Sequence, residues 1–291
     1  MECCLAVDVG GTKIAAGLVD EAGTLRSERQ IATPEGTDPE ALFAALAALV
    51  DEVAAAARPR ACGVGCGGPM TPGGETVSPL NIPAWRGFPL RARLAAHTGL
   101  ATVVDNDAKA LALGEGWCGA AAGARHFMAM VVSTGVGGGI VLDGRLLHGA
   151  TGNAGHVGHV IVEPGGRVCG CGGRGCLEAE ASGTAIASVT GAAPEAAGSE
   201  VVTRTGTLVG RAVASVVTLL DLQLVVVSGS VALGYGSPFF AAANAELRER
   251  ARLSYTAGAA VVPGGLGAAG PLVGAGALGW SAAGRRVGAV S

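Results

Sequence analysis

Apolar residues fall in short runs closed by glycine turns along most of the chain, with stretches of helical period between them. Leu5 to Asp8 is a short apolar run that meets Gly10-Gly11-Thr12, and Ile14 to Val19 is another. Two strands around a glycine turn predict a hairpin. From Pro39 to Ala57, Leu42, Leu46, Leu49, Val50 and Val53 recur at helical spacing, with Thr37 or Asp38 available as N-cap. Ala61 to Gly65 predicts a third strand, ending in Gly67-Gly68-Pro69, and Leu90 to Thr98 a helix. Thr102 to Val104 predicts a strand whose end delivers Asp105-Asn106-Asp107, followed by a helical run from Ala108. Strand ends of this kind are where open α/β sheets place ligands.

A second block repeats the plan. Met128 to Val132 runs into Ser133-Thr134-Gly135, and Gly139 to Leu142 continues after a further glycine turn. The two blocks therefore read as related α/β halves, with a linker expected near Gly114 to Arg125. Val202 to Leu220 predicts an amphipathic helix and Leu224 to Val227 a buried strand, after which Gly229-Ser230 opens another loop. Leu253 to Gly284 carries no charge, but Pro263, Pro271 and nine glycines argue against a membrane span. A strand, a glycine turn and a short buried helix are expected there.

Composition narrows the function more than the fold. The 291 residues are 49% hydrophobic and 15% charged, with only ten aromatics, so a folded core must be built from Ala, Val and Leu. A net charge of −3 and a pI near 6.0 give no basic face for nucleic acid and point to a small ligand. The first residues enter a strand at once, with no room for a signal peptide, so a cytoplasmic protein without membrane attachment is expected. In that reducing compartment the eight cysteines do not suggest disulfides. Cys3, Cys4, Cys62, Cys66 and Cys118 stand among apolar residues as small core fillers, whereas Cys169, Cys171 and Cys176 are clustered.

Four motifs carry chemistry. In Asp8-Val9-Gly10-Gly11-Thr12-Lys13, glycine N–H groups can approach a polyphosphate, Thr12 and Lys13 can add donors, and Asp8 can hold Mg²⁺ or its water. An ordinary hairpin turn explains the same residues, and the GKS or GKT ending of a Walker A loop is missing. The second glycine turn, Ser133 to Gly139 with Thr134, Gly135 and Gly137, suggests a phosphate chain gripped from both sides of a cleft; Gly229 is counted with the same contacts. Asp107, next to Asn106, can accept the proton of an attacking hydroxyl, although an Asp at a helix start also serves as a plain cap. His159 with Cys169, Cys171 and Cys176 offers three thiolates and an imidazole, a closed tetrahedral set that implies structural Zn²⁺. His156 and Glu178 beside them can position the hydroxyls of a polar substrate, support the zinc, or form a solvated face. Gly68 and Asn81 are further candidates for the ligand pocket, and turn chemistry accounts for them equally.

In this order, DVGGTK, NDAKALALGE, STGVGGG and AGHVGH followed by CGCGGRGCLEAEASG resemble the ROK family of sugar kinases and repressors, over residues 5 to about 280. The resemblance implies an α/β, actin-like, hexokinase-type (ribonuclease H-like) fold of two lobes, with ATP between them and sugar at the base of the cleft. It also implies Asp107 as general base, with Asn106, His159 and Glu178 touching the sugar. The lobes expected are residues 1–118, joined by a C-terminal helix at about 272–288, and residues 119–271. Where glucokinase-type members have Gly-Glu-x-Gly-His, this chain has Gly155-His156-Val157-Gly158-His159, which looks like the bacterial N-acetylmannosamine kinases. So does Ser228-Gly229-Ser230-Val231. The family's repressors carry a helix-turn-helix ahead of the first glycine loop, and none is expected here. The expected activity is transfer from Mg-ATP to the 6-hydroxyl of a hexose or 2-acetamido hexose, foremost N-acetylmannosamine, by a homodimer. Glucokinase is the alternative, and a non-catalytic sugar sensor the alternative of another class.

Overall fold

Hydrogen bonding between strands builds two five-stranded sheets of one wiring. In the computed structural model, which describes residues 2–36 and 38–288, the first sheet holds β1 (Cys3–Val9), β2 (Lys13–Asp20), β3 (Leu25–Ala32), β4 (Cys62–Cys66) and β5 (Thr102–Asn106), in the order β3-β2-β1-β4-β5. The second holds β6 (Phe127–Val132), β7 (Val136–Leu142), β8 (Arg145–Leu146), β9 (Leu224–Ser228) and β10 (Ala260–Pro263), in the order β8-β7-β6-β9-β10. Each opens with antiparallel neighbours around a glycine turn, β1 with β2 and β6 with β7. Each then adds two parallel strands on the other side, β4 and β5 or β9 and β10. The repeat seen in the sequence is thus a repeat of topology.

The helices are α1 (Pro39–Ala54), α2 (Leu90–Thr98), α3 (Asp107–Cys118), α4 (Leu177–Ala181), α5 (Gly183–Thr190), α6 (Ser199–Leu220), α7 (Ser230–Arg250) and α8 (Gly270–Ala282). Asp38 caps α1 by accepting from the Glu40 N–H at 2.9 Å, while Thr37, the other candidate, lies outside the described residues. The helix stops at Ala54 rather than Ala57: Ala56 and Ala57 donate to carbonyls three residues back, and Pro59 disfavours helix at Arg58. α2 occupies the span its pattern predicts and closes on left-handed Gly99.

Several expectations need correction. Gly114 to Cys118 belongs to α3 and not to a linker, because its glycines are buried where α3 packs against α8. Gly229-Ser230 does not open a loop: α7 begins at Ser230, its helical pattern masked in sequence by Gly236, at φ 60°, and Pro238. Gly137 lies inside β7, paired with Val131 of β6, and not in the turn; a Cβ there would press on the Ala108 side chain at 3.0 Å where α3 crosses the strand. The C-terminal helix runs from Gly270 to Ala282 and not to 288, the chain reversing at Gly284 with φ 76°. β3 is absent from the sequence reading because LRSERQIA is a largely exposed edge strand without an apolar alternation.

The uncharged C-terminal stretch folds as β10, a short 3₁₀ turn at Gly267–Ala269 and α8. α8 lies on β1, β2 and β4 and beside α3. Its approach to β4 is backbone against backbone: a Cβ on Gly63 would sit 1.9 Å from the Ala275 carbonyl. Interior helical glycine costs about 1 kcal/mol relative to alanine, offset here by contact that a side chain would prevent. Among the described residues no helix is long and apolar enough to cross a membrane.

Candidate active site

The two glycine turns face one another across a cleft of about 510 Å³, lined by both sheets, the start of α3 and the start of α8. The first turn follows β1 and is closed by the Gly10 N–H donating to the Lys13 carbonyl at 3.0 Å. Thr33 on the flanking chain donates its hydroxyl to the Gly10 carbonyl at 2.7 Å. The second follows β6, where Ser133 N–H donates to the Gly135 carbonyl at 2.9 Å. Thr184, in α5, donates both N–H and hydroxyl to the Thr134 carbonyl, pinning the turn from behind. Glycine amides free of side chains in such turns form anion-binding concavities.

Asp107 stands at the first turn of α3. Asn106 is the cap, its side-chain oxygen accepting from Ala108 N–H at 3.1 Å, and an Asp107 carboxylate oxygen accepts from the same N–H at 2.8 Å. The capping role weighed for Asp107 therefore falls mainly to Asn106. Burial raises the Asp107 carboxyl above its ordinary value; the Ala108 N–H and the His156 imidazole pull against that rise. Asp8, at the end of β1, is pushed up to about 7 by burial and then by the Asp107 charge, with Lys13 opposing.

His156 enters from the loop before a 3₁₀ turn at Val157–His159. Its Nδ1 lies 2.8 Å from the Asn153 carbonyl, which can only accept, so Nδ1 carries a proton and Nε2 is the ring nitrogen left to face the cleft. Nε2 points at Gly68, where a Cβ would approach it at 3.1 Å and the Asn106 amide at 3.4 Å. Glu178, the second residue of α4, accepts from Val136 N–H at 2.9 Å and so fastens the second glycine turn. Asn81 packs against Gly11, with its amide also near Gly135. Gly68, Asn81, Asn106, Asp107, His156, His159 and Glu178 all line the cleft, as do Asp8, Gly10, Gly11, Thr12, Lys13, Thr134, Gly135, Gly137 and Gly229.

Ser133 and Ser230 also line it, their hydroxyls 2.9 Å apart, together with Gly267, Ala268 and Pro271 from the approach to α8. The sequence motifs include Ser133 and Ser230 without a role at the site, and miss Gly267, Ala268 and Pro271. The signal was the Gly264-to-Gly267 turn after β10, which parallels the two earlier strand-to-glycine turns.

Away from the cleft, His159 Nδ1 and the sulfurs of Cys169, Cys171 and Cys176 lie within 4.8 Å of one another. Cys169 Sγ is 3.6 Å from the imidazole, and Cys171 Sγ is 3.8 Å from Cys176 Sγ. Three sulfurs and one nitrogen at these separations match the donor set of a closed tetrahedral site. His159 touches both this cluster and the cleft. The excursion is held to α6 by buried Glu180, which accepts from the Arg167 N–H at 2.6 Å and pairs with Arg167 and Arg204. Burial alone would raise that carboxyl, but these donors more than offset it, and it lies below its ordinary value.

A model of the ROK family matches residues 4–280. An N-acetylmannosamine kinase of Citrobacter koseri is 41% identical over 80% of this chain and 84% of its own length. A ROK family glucokinase from Streptomyces griseus, solved with glucose and AMPPNP, superposes with a TM-score of 0.85 at 30% identity, covering 96% of this chain and 99% of that one. A ROK hexokinase from Thermus thermophilus gives 0.81 at 33% identity over 96% of this chain and 98% of that chain. The fold is the two-lobe, actin-like α/β architecture of hexokinase type.

Proposed function

The chain belongs to the ROK family and is a sugar kinase, and from that premise we propose that it phosphorylates the 6-hydroxyl of N-acetylmannosamine from Mg-ATP. The observation that carries the reading is Asp107, a carboxylate raised by burial, at a helix start between two glycine cradles, with Asn106 and His156 beside it. The sugar O6 attacks the γ-phosphorus, its proton passes to the Asp107 carboxylate, and the bond from γ-phosphorus to the bridging oxygen breaks to leave ADP. The turns at Gly10-Gly11 and Thr134-Gly135 hold the phosphates by their amides, aided by Thr12, Lys13 and Gly229. Asp8 fits a divalent ion, since a carboxyl raised by burial regains its charge beside a cation; Mg²⁺ there supplies charge neutralisation.

Asn106, His156, Glu178, Asn81 and Gly68 form the sugar side of the site in this reading. His156, its Nδ1 engaged by the Asn153 carbonyl, presents Nε2 to a sugar hydroxyl or acetamido group, and a carboxylate in its place would add a negative charge. His159, Cys169, Cys171 and Cys176 fit structural Zn²⁺, which would order an excursion with little core of its own. The lobes we propose are residues 1–118 with α8 and residues 119–271. Cytoplasmic location and a homodimer are proposed on family membership.

Glucokinase activity is the second reading, favoured by the likeness to the Streptomyces griseus enzyme. A panel of glucose, mannose, N-acetylglucosamine and N-acetylmannosamine with ATP and Mg²⁺ separates the two by kcat/KM. Sugar-dependent ADP release disposes of a non-catalytic sensor, and its absence with every sugar would overturn the kinase reading.

A further inference from the structure

Lys109 is wholly buried, which is rare for lysine unless it is paired. It follows Asp107 by two residues on α3, yet it does not line the cleft. Its ammonium donates to the Gly152 carbonyl at 2.5 Å and lies 3.5 Å from the Asp105 carboxylate, near the end of β5. Asp105 in turn lies 3.6 Å from His148. The beginning and the middle of the 148–156 loop are thereby referred to the junction of β5 and α3.

The same loop is fastened a second way. Asn153 accepts from Met70 N–H at 3.2 Å and donates to the Met70 carbonyl at 2.9 Å, joining it to the chain just beyond Gly68. The Asn153 carbonyl then fixes the His156 ring at 2.8 Å. A continuous path runs from Lys109 through Gly152 and Asn153 to the imidazole that faces Gly68.

We infer that Lys109 is a positioning residue for sugar recognition: it locks the 148–156 loop to the helix that carries Asp107, so that acceptor and base are set in one frame. The inference rests on the kinase reading for its consequence but not for its geometry. Removing a charged donor from this half-buried carbonyl takes away its partner, and the loop loses its link to α3. An ordered loop lowers the ordering cost of binding, so its loss should appear in sugar affinity rather than in nucleotide affinity.

The test uses Lys109→Met and, to avoid an unpaired Asp105, the double variant Lys109→Met/Asp105→Asn. Amide exchange of the ligand-free proteins should speed up at least tenfold across 148–156 while β1 and β4 keep wild-type protection. The KM for sugar should rise about tenfold, with the KM for ATP within twofold and kcat within threefold. Unchanged exchange and sugar KM in either folded variant would overturn the inference. So would equal rises in both KM values with exchange faster throughout, which marks a merely structural lysine. If no sugar is phosphorylated by the wild type, the kinase reading fails alone, and the exchange measurement still decides whether Lys109 orders the loop.

Discussion

Asp8 near the end of β1 and Asp107 at the start of α3 flank Gly65 of β4, and a Cβ on that glycine would lie 3.6 Å from the Asp8 carboxylate and 3.4 Å from Asp107 Cα. The pairing of β1 with β4 and of β4 with β5 brings Asp8, Gly65 and Asp105 into one row, which places Asp107 just beyond it. Two carboxylates this close, both desolvated by burial, are costly to ionise together, and that cost is the electrostatic signature of the cleft.

Stability should carry that signature. The Asp8 carboxyl lies near 3.8 in its ordinary state and at about 7 in the fold. Between these values the folded protein holds the more protons, so this group's contribution falls as pH rises. Asp8→Asn removes the charge, and its ligand-free thermal midpoint at pH 8 should exceed that of wild type by roughly a few degrees. The gap should close toward pH 4, where both side chains are neutral. A variant less stable than wild type at pH 8 would contradict the arrangement.

Sugar choice should follow His156. Nδ1 is engaged by the Asn153 carbonyl, so only Nε2 meets ligand. His156→Glu should shift the ratio of kcat/KM for N-acetylmannosamine over glucose by about tenfold toward glucose, the size expected when one polar contact changes partner. An unchanged ratio across the sugar panel would remove His156 from recognition.

Much of this site is legible in the chain, and the reasons differ by element. Strand-to-glycine turns announce themselves because apolar β-branched runs end abruptly at Gly10 and at Ser133. α2 is legible from its pattern and from Gly99 beyond it. α7 is not, because Gly236 and Pro238 interrupt its period, and β3 is not, because an exposed edge strand has no buried face to mark it. The cleft residues near Gly267 and Pro271 are hidden by a different cause. The Gly264-to-Gly267 turn marks them only as a turn after a strand, and they reach the site because α8 folds back onto the first sheet, a long-range contact.

The cysteine cluster predicts metal dependence of structure rather than of chemistry. Cys171→Ser should release about one equivalent of zinc per chain, lower the thermal midpoint and raise the sugar KM, because His159 belongs to both the cluster and the cleft. The KM for ATP should stay near wild type. Metal analysis that finds zinc retained, with activity intact, would remove Cys171 from the donor set.

Asp107→Asn tests the central claim most directly, since the amide preserves size and the oxygen that faces the Ala108 N–H while abolishing the base. Sugar-dependent ADP release should fall by at least a thousandfold, while calorimetry gives a sugar dissociation constant within about threefold of wild type. Turnover within tenfold of wild type would contradict the assignment of Asp107 as the group that takes the hydroxyl proton.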